Sequence, residues 1–516
     1  MADRSSTPLL LHPSDLTVQT VIRLPLPLVV GNQDYAQREK MLLRMDEILR
    51  SSGIEDAVLA AAVQKAVDTS DPLRNPLSDS RRDHVQTYAR QALRCTIARF
   101  LSNTSHRQFS CYMAESRLLQ WFCGTEVLGG PIQVPSKSTL QRMESQMPAD
   151  ILACAHALLL SKAAAVSPVD GSSILGLAQP IDLSVIWMDS TCMQLDIHYP
   201  TDWILLRDAT RTIMKSILTI RAHGLKHRME APESFIAAMN AQCMAMSSCS
   251  RKGRGPDKKK QRKKILRTMK KIACKVRQHG KRYRDFLQNC RNETDLSVAQ
   301  AQVIIDRMDN VLSQLPAAID QAHDRIIGER VVPNDEKILS FYEPHARVYV
   351  RGKSGADAEF GLQLLLSETL EGLIVDCHLV HDRIASDNKL LKPAIERMRK
   401  QLGDTVAETV VTDRGFTSAA NDKTLEKLKI INATLPRQPA AMKTFLEDPH
   451  FRDLHTRRAQ TEARIGIFKN KFIGGYLPTK GLDRQQKYIA WAALAHNLWV
   501  LARRDLPDIN EVAQAS

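Results

Sequence analysis

The period of the apolar positions changes along this chain, and each change predicts a different kind of element. The first 83 residues set Pro-rich stretches (Leu24 to Leu28, Pro72 to Pro76) around one helical pattern, Tyr35 to Leu49, and no role follows from them. From His84 the spacing is helical: Val85, Tyr88, Ala89, Leu93 and Ile97 share a face, a segment Phe109 to Phe122 follows, and another helix starts after Pro135. Several short helices within 84–165 suggest a helix-turn-helix type module. Ser184 to Met188 then reads as a short buried strand that ends in Asp189-Ser190-Thr191, delivering a carboxylate at its tip. After a helix capped near Thr201-Asp202, residues 226–335 read as helical throughout, closing in a seam of Val298, Val303, Ile305, Met308, Leu312 and Leu315.

Past Pro333 the period becomes that of strands: Lys337 to Tyr342, Ala346 to Val350, Phe360 to Leu366 and Gly372 to Val380, with turns at Gly352 and Gly355. Asp387 reads as the cap of a helix holding Leu390, Leu391, Ile395 and Met398. Thr409 to Thr412 is a second buried-type strand, delivering Asp413 and turning at Arg414-Gly415-Phe416. A helix over 418–428 and a strand at Ile430 to Leu435 complete the alternation, which indicates a mixed α/β sheet with flanking helices. A final helix, Gln486 to Arg504, carries Trp491, Leu494, Leu498 and Leu501 and packs back on that sheet.

Charge changes the picture more than composition does. The 516 residues are 43% hydrophobic, enough for two to four real cores, and carry a formal +15. Between Arg251 and Arg284 stand 17 Lys and Arg against one acid, Asp257, and the rest of the chain nets −1. One basic segment on a balanced protein points to a nucleic-acid partner, with Lys258, Lys259, Lys260, Lys263 and Lys264 as its densest contacts. Pro135 to Arg142 adds a Ser-capped helix whose first turns present Lys137 and Arg142, residue types that reach phosphates and base edges. The same pattern also suits an ordinary surface helix. None of the ten cysteines is spaced as a zinc site, and no apolar run suits an export signal or a membrane span, which suggests a soluble protein of a reducing compartment.

The candidate chemistry sits in Asp453 to Phe472, a long helix pattern. His455, Arg458, Glu462 and Lys469 fall within about 60° of one another on a helical wheel, one polar stripe bordered by Leu454, Ile465 and Phe472 on one side and by Ala459 and Gly466 on the other. A carboxylate held there against the protein needs cations. Of the other acids nearby, Asp196, Asp202, Asp208, Asp376, Asp382 and Asp387, two (Asp202 and Asp387) read as helix caps and Asp208 as a surface charge. Trp203 reads as core.

His455-x2-Arg458-x3-Glu462-x6-Lys469 resembles the Tyr-Arg-Glu-Lys signature of DDE-type insertion-sequence transposases, with His in place of Tyr. Trp187-Met188-Asp189-Ser190-Thr191, His198 to Asp202, Phe341 to His345, Thr412 to Phe416, Glu462 to Gly466 and Ala495-His496-Asn497-Leu498 are similar to words of the ISNCY-like members of that group, over roughly residues 85 to 505. The resemblance implies an RNase H-like catalytic domain in segments 181–225 and 336–505, interrupted by the all-α basic insertion 226–335 and preceded by an all-α DNA-binding module at 84–165. It implies that Asp189, Asp413 and Glu462 are catalytic and hold two Mg²⁺, with Mn²⁺ able to substitute. Such ions clamp the attacking and leaving oxygens of an in-line displacement. Water first cuts a phosphodiester at the element's end, and the freed 3′-OH then attacks target DNA. His455, Arg458 and Lys469 are expected on the DNA backbone. The partners implied are double-stranded transposon ends and target DNA, a second copy of the chain on that DNA, and no membrane; the place implied is a prokaryotic cytoplasm, at the nucleoid. Two alternatives share these residues: a transposase-derived DNA-binding protein without catalysis, and an RNase H-like nuclease that cuts without joining.

Overall fold

The computed structural model describes residues 25–26, 28–69, 77–126, 131–169, 171–199, 201–251, 255–350, 358–380 and 386–504. Leu24, Pro27, Pro72 to Pro76, Pro200, Gly352, Gly355, Asp382, and Lys252 and Arg254 of the basic segment lie outside them. The chain forms two compact units, one from 1–193, 363–380 and 385–516, the other from 194–362 and 381–384.

The first unit opens with helices α1 (Gln33–Ser51), α2 (Ile54–Asp68), α3 (Asp79–Ser102), α4 (His106–Glu115), α5 (Arg117–Cys123), α6 (Lys137–Gln146) and α7 (Ala149–Ala164). Side-chain oxygens of Ser78, Ser105, Ser116 and Ser136 accept from the first-turn N–H groups of α3, α4, α5 and α6, which is why these short helices start where they do. Buried Arg94 of α3 locks them together, donating to Glu55 at 2.5 Å, to Asp46 at 2.6 Å and to the Phe122 carbonyl at 3.0 Å. The helix α2 has no counterpart in the sequence pattern, because Ala-rich segments carry little periodic contrast.

β1 (Val185–Leu195) follows and does not stop at Asp189. Thr191, Cys192 and Met193 are buried and keep the strand going, while its pairing with β5 (Thr409–Thr412) ends at Trp187↔Val411. Asp189 therefore sits inside β1, where its neighbour β5 has run out. β5 also pairs in parallel with β6 (Ile431–Thr434), the crossover being α13 (Ala419–Lys427). β3 (Glu359–Glu368) and β4 (Ile374–Val380) form an antiparallel hairpin, and β3 lies beside β1, giving the order β3-β1-β5-β6 with β4 on β3 and β7 (Tyr476–Leu477) on β1. Val410 and Val411 are fully buried, as suits a parallel strand covered on both faces.

The remaining helices are α12 (Leu391–Leu402), α14 (Pro439–Glu447), α15 (Pro449–Ile467) and α16 (Leu482–Arg503). α16 completes the peptide bonding of β4 with side-chain amides: Asn497 pairs with both N–H and carbonyl of Ile374 at 2.8 and 2.7 Å, and Gln486 with Leu379 and Cys377. Among the described residues no single helix is long and apolar enough to cross a membrane.

The second unit is an α-helical bundle: α8 (Asp202–Ala222), α9 (Pro232–Arg251), α10 (Pro256–Asn289) and α11 (Val298–Ile326). α8 lies here by its contacts, although its residues fall in the sequence segment 181–225. α10 buries Leu266, Met269, Ala273, Val276, Tyr283 and Leu287, a stripe repeating every three or four residues, so its cations occupy the opposite faces. Of the expected α11 seam, Ile305, Met308, Leu312 and Leu315 are buried, whereas Val298 and Val303 are more than half exposed because the true stripe runs through Ile304 and Val311. Lys337 to Tyr342 is irregular instead of a strand: Gln321 and Asn310 side chains bond the backbone of Ile338 and Phe341, and Phe341 fills the bundle core. A short β2 (Arg347–Tyr349) pairs with the start of β3. Asp202 is not a cap; it lies one residue inside α8, almost fully buried, bonded by Arg325 and Gln321. Trp203 packs on the bundle core.

Candidate active site

The site is built around α15. Asp448 caps that helix by accepting from the His450 N–H, and Pro449 occupies its first turn, so it begins four residues before the sequence pattern does. One of its faces is bolted to the sheet. Arg457 donates to Glu368 of β3 at 3.0 Å and to the carbonyls of Thr369 and Leu370, its guanidinium lying 4.6 Å from the Trp187 ring centre. Thr461 donates to the same Glu368 at 2.8 Å. One turn on, Arg464 lies against Gly372, whose φ of +87° favours glycine and where an added Cβ would stand 2.7 Å from Arg464 Nη1 and push that guanidinium aside.

Fixing that face brings Arg458 to the two aspartates and His455 to β6. Arg458 Nη2 stands 3.5 Å from Asp189 Oδ2 and 3.8 Å from Asp413 Oδ2, so carboxylates from two adjacent parallel strands converge on one guanidinium. Arg458 Nε is buried and has no hydrogen-bond partner among the described residues. The Asp189 carboxyl is pushed up to about 6, by burial first; Arg458 and the Ser190 N–H oppose this, while Asp413 and Asp387 add to it. Asp413 Oδ1 accepts from the Gly415 N–H at 2.8 Å, which closes the turn after β5.

The other expected site residues are placed differently. Glu462 is exposed on α15, one turn beyond Arg458. His455 donates Nε2–H to the Ala433 carbonyl of β6 at 2.8 Å, and burial lowers its pKa, so a neutral ring docks the helix there. The α-helical stripe does not extend to Lys469: the backbone becomes a π-helical turn over Phe468–Ile473, which invalidates the wheel beyond Ile467. Lys469 instead donates to the Cys192 carbonyl of β1 at 2.8 Å. Lys137 and Arg142 are exposed on α6. On α10, Lys260 and Lys264 are exposed and Lys258 half-buried, while Lys259 and Lys263 pair with Glu329 at 3.2 and 2.9 Å.

Asp387 is what the sequence pattern misses. It opens a short 3-10 turn after Ser386 without capping α12, and its Oδ1 accepts from Ser190 Oγ at 2.6 Å and Gln363 Nε2 at 3.1 Å. Ser386-Asp387-Asn388-Lys389 is an ordinary helix-start sequence, and no local signal separates such an Asp from a cap. Among the described residues no three acidic, histidine or cysteine side chains are gathered for a metal ion. The donors nevertheless fit a hard divalent cation in kind and charge, since Asp189 and Asp413 offer carboxylate oxygens to a spot where a positive group already sits.

Two carboxylates borne on neighbouring parallel strands of a mixed sheet thus meet one guanidinium of α15. Residues 328–498 match the family model for the transposase DDE domain, which supports a DDE transposase. The matched span includes Asp413 and Glu462 and begins after Asp189. No curated protein and no solved structure matches the chain.

Proposed function

We propose that this chain is a DDE transposase of the ISNCY-like group, with an RNase H-like catalytic domain, that cuts DNA at transposon ends and joins the freed 3′ ends to target DNA by in-line phosphoryl transfer. The observation that carries this reading is the convergence of Asp189 and Asp413 on Arg458 beneath α15, with Asp413 and α15 inside the span that matches the transposase domain.

Asp189, Asp413 and Glu462 would hold two Mg²⁺, or Mn²⁺ in their place. The ions would supply Lewis acidity at the attacking and leaving oxygens. The chain's own part is positioning. With Asp189 and Asp413 holding the cations, the Arg458 guanidinium would be released to a backbone phosphate, a bidentate match, while Lys469, held at the Cys192 carbonyl, and His455, held at the Ala433 carbonyl, would contact the DNA backbone from their own places on β1 and β6. The parallel edge Val185 to Trp187 with Thr409 to Val411 holds the strands that carry the two aspartates side by side, and the Arg457–Glu368 bolt fixes the helix that carries Glu462. Double-stranded DNA is gripped by the module at 84–165, through Lys137 and Arg142, and by the basic insertion 226–335, through Lys258, Lys259, Lys260, Lys263 and Lys264. Two copies act together, one on each end, at the nucleoid of a prokaryotic cell.

The test is incubation of the purified protein with DNA carrying the native flanks of its gene and Mg²⁺ or Mn²⁺, beside Asp413→Ala and Glu462→Gln. Metal-dependent cutting at the flank ends and joining to a second DNA, both lost in the variants with DNA affinity retained, is the expected result. Cutting without joining identifies a nuclease, binding without cutting a regulatory protein, and equal cutting by Glu462→Gln removes that residue from the site.

A further inference from the structure

α15, α16 and the turn from β3 to β4 border a cavity of about 260 Å³, lined in part by Glu371, Gly372, Arg464, Trp499, Arg503 and Arg504. Arg464 is six residues from Arg458, about 120° around the helix, so the cavity lies off the face that meets Asp189 and Asp413. Four cations stand at it. Arg464 and Arg504 line it, while Arg503 and Lys471 lie over the indole of Trp499, their charged ends 4.4 and 4.0 Å from its ring centre. Acids are fewer: Glu371 pairs with Arg504 at 3.5 Å, and Glu368, already bonded by Arg457, is 3.9 Å from Arg464. Glu371 Oε2 and Arg504 Nη1 are buried without a hydrogen-bond partner among the described residues, and Lys471 and Arg503 meet no carboxylate among them. Burial, and then Arg503, hold the Lys471 ammonium below its ordinary pKa, so its charge is one that an added anion would stabilise. The C-terminal dipole of α16 favours cations in its last turn, which accounts for Arg503 and Arg504 in part. It does not account for Arg464 and Lys471, which come from other segments to the same opening.

We propose that this cavity is a phosphate-binding site, separate from the acids, in which Arg503, Arg504 and Lys471 receive a phosphate group beside Trp499. Guanidinium forks match a phosphate bidentately, and Lys471 adds a point charge. Two sources share that chemistry, a phosphodiester of bound DNA and a free phosphate ion, and the first rests on the transposase reading. The test uses the full-length protein as wild type, Arg503→Gln and Lys471→Gln/Arg503→Gln, variants that leave the Arg504–Glu371 pair and the Arg457–Glu368 bolt in place. One arm measures affinity for a DNA duplex against salt. The other titrates inorganic phosphate at constant ionic strength by tryptophan fluorescence, with Trp499→Phe to assign the signal and acetate as the comparison anion. A DNA phosphate in the cavity makes the slope of log affinity against log salt shallower by about 0.9 in the single variant and about 1.8 in the double one. A free phosphate leaves that slope unchanged and gives a saturable signal, absent in Trp499→Phe, that the double variant moves to on the order of 10-fold higher phosphate. Variants that match wild type in both arms overturn the inference, as does an unchanged slope with a phosphate signal that acetate reproduces. A shallower slope in a protein that cuts no flank DNA upholds the site and overturns the transposase reading; cutting with neither effect does the reverse.

Discussion

Glu368→Leu tests whether the orientation of α15 is set by one buried charge pair. Glu368 is 1% exposed and the Arg457 side chain 9%, so removing the acid strands a guanidinium that keeps neutral partners, the Thr369 and Leu370 carbonyls, the Thr461 hydroxyl and the Trp187 ring, and no counter-charge from Glu368. Breaking a buried pair on one side costs about 3–5 kcal/mol, whereas replacing both partners with apolar groups of similar volume is often neutral. The double variant Glu368→Leu/Arg457→Met should therefore recover most of the loss, since Arg464 still donates to the Thr369 and Leu370 carbonyls, short of about 1–2 kcal/mol for the Thr461 hydroxyl and Arg464, which lose Glu368 as well. Urea unfolding followed by tryptophan fluorescence reads this well, because Trp121, Trp187, Trp491 and Trp499 all lie in the sheet-bearing unit. A single variant within about 1 kcal/mol of wild type, or a double variant no more stable than the single one, refutes the reasoning, since the magnitude rests on an uncompensated buried cation.

Two further outcomes follow from the charges. With its folded pKa raised to about 6 above an ordinary value near 4, Asp189 binds its proton more tightly in the folded protein, so its contribution is fully present below about pH 4 and lost as pH rises through 6. About two units correspond to about 3 kcal/mol, so chelator-treated Asp189→Asn should lack this loss and match or exceed wild type in stability at pH 7.5; a variant whose stability-pH curve parallels wild type contradicts the buried, acid-crowded setting of Asp189. Neutralising Lys258, Lys259, Lys260, Lys263 and Lys264 together should flatten log affinity for DNA against log salt by about 3 to 4.5, at about 0.9 per phosphate contact, the lower figure applying if Glu329 keeps Lys259 and Lys263 from the DNA. An unchanged slope returns α10 to a solvated bundle helix.

The sequence by itself determined what depends on local spacing. Helical and strand periods placed α3, α6, α12, β5 and β6 within a few residues of where they stand, because a helix that buries one face repeats its apolar side chains at the helical period and a covered parallel strand reads as a short apolar run. The segregation of charge into Arg251 to Arg284 was equally legible, and so were Asp189 and Asp413 as acids on buried strands. What only the tertiary structure decided depends on partners distant in sequence. Asp387 reads as a cap from its neighbours and becomes a hub because Ser190 and Gln363 come to it from other strands. Lys469 leaves the helical stripe because a π turn and the Cys192 carbonyl claim it, and His455 turns to β6 because Ala433 presents a carbonyl there. Arg457, invisible as anything but one more cation in the chain, fixes the helix because Glu368 lies buried opposite it. A buried charge has to find its counter-charge in three dimensions, and no local period encodes where that is.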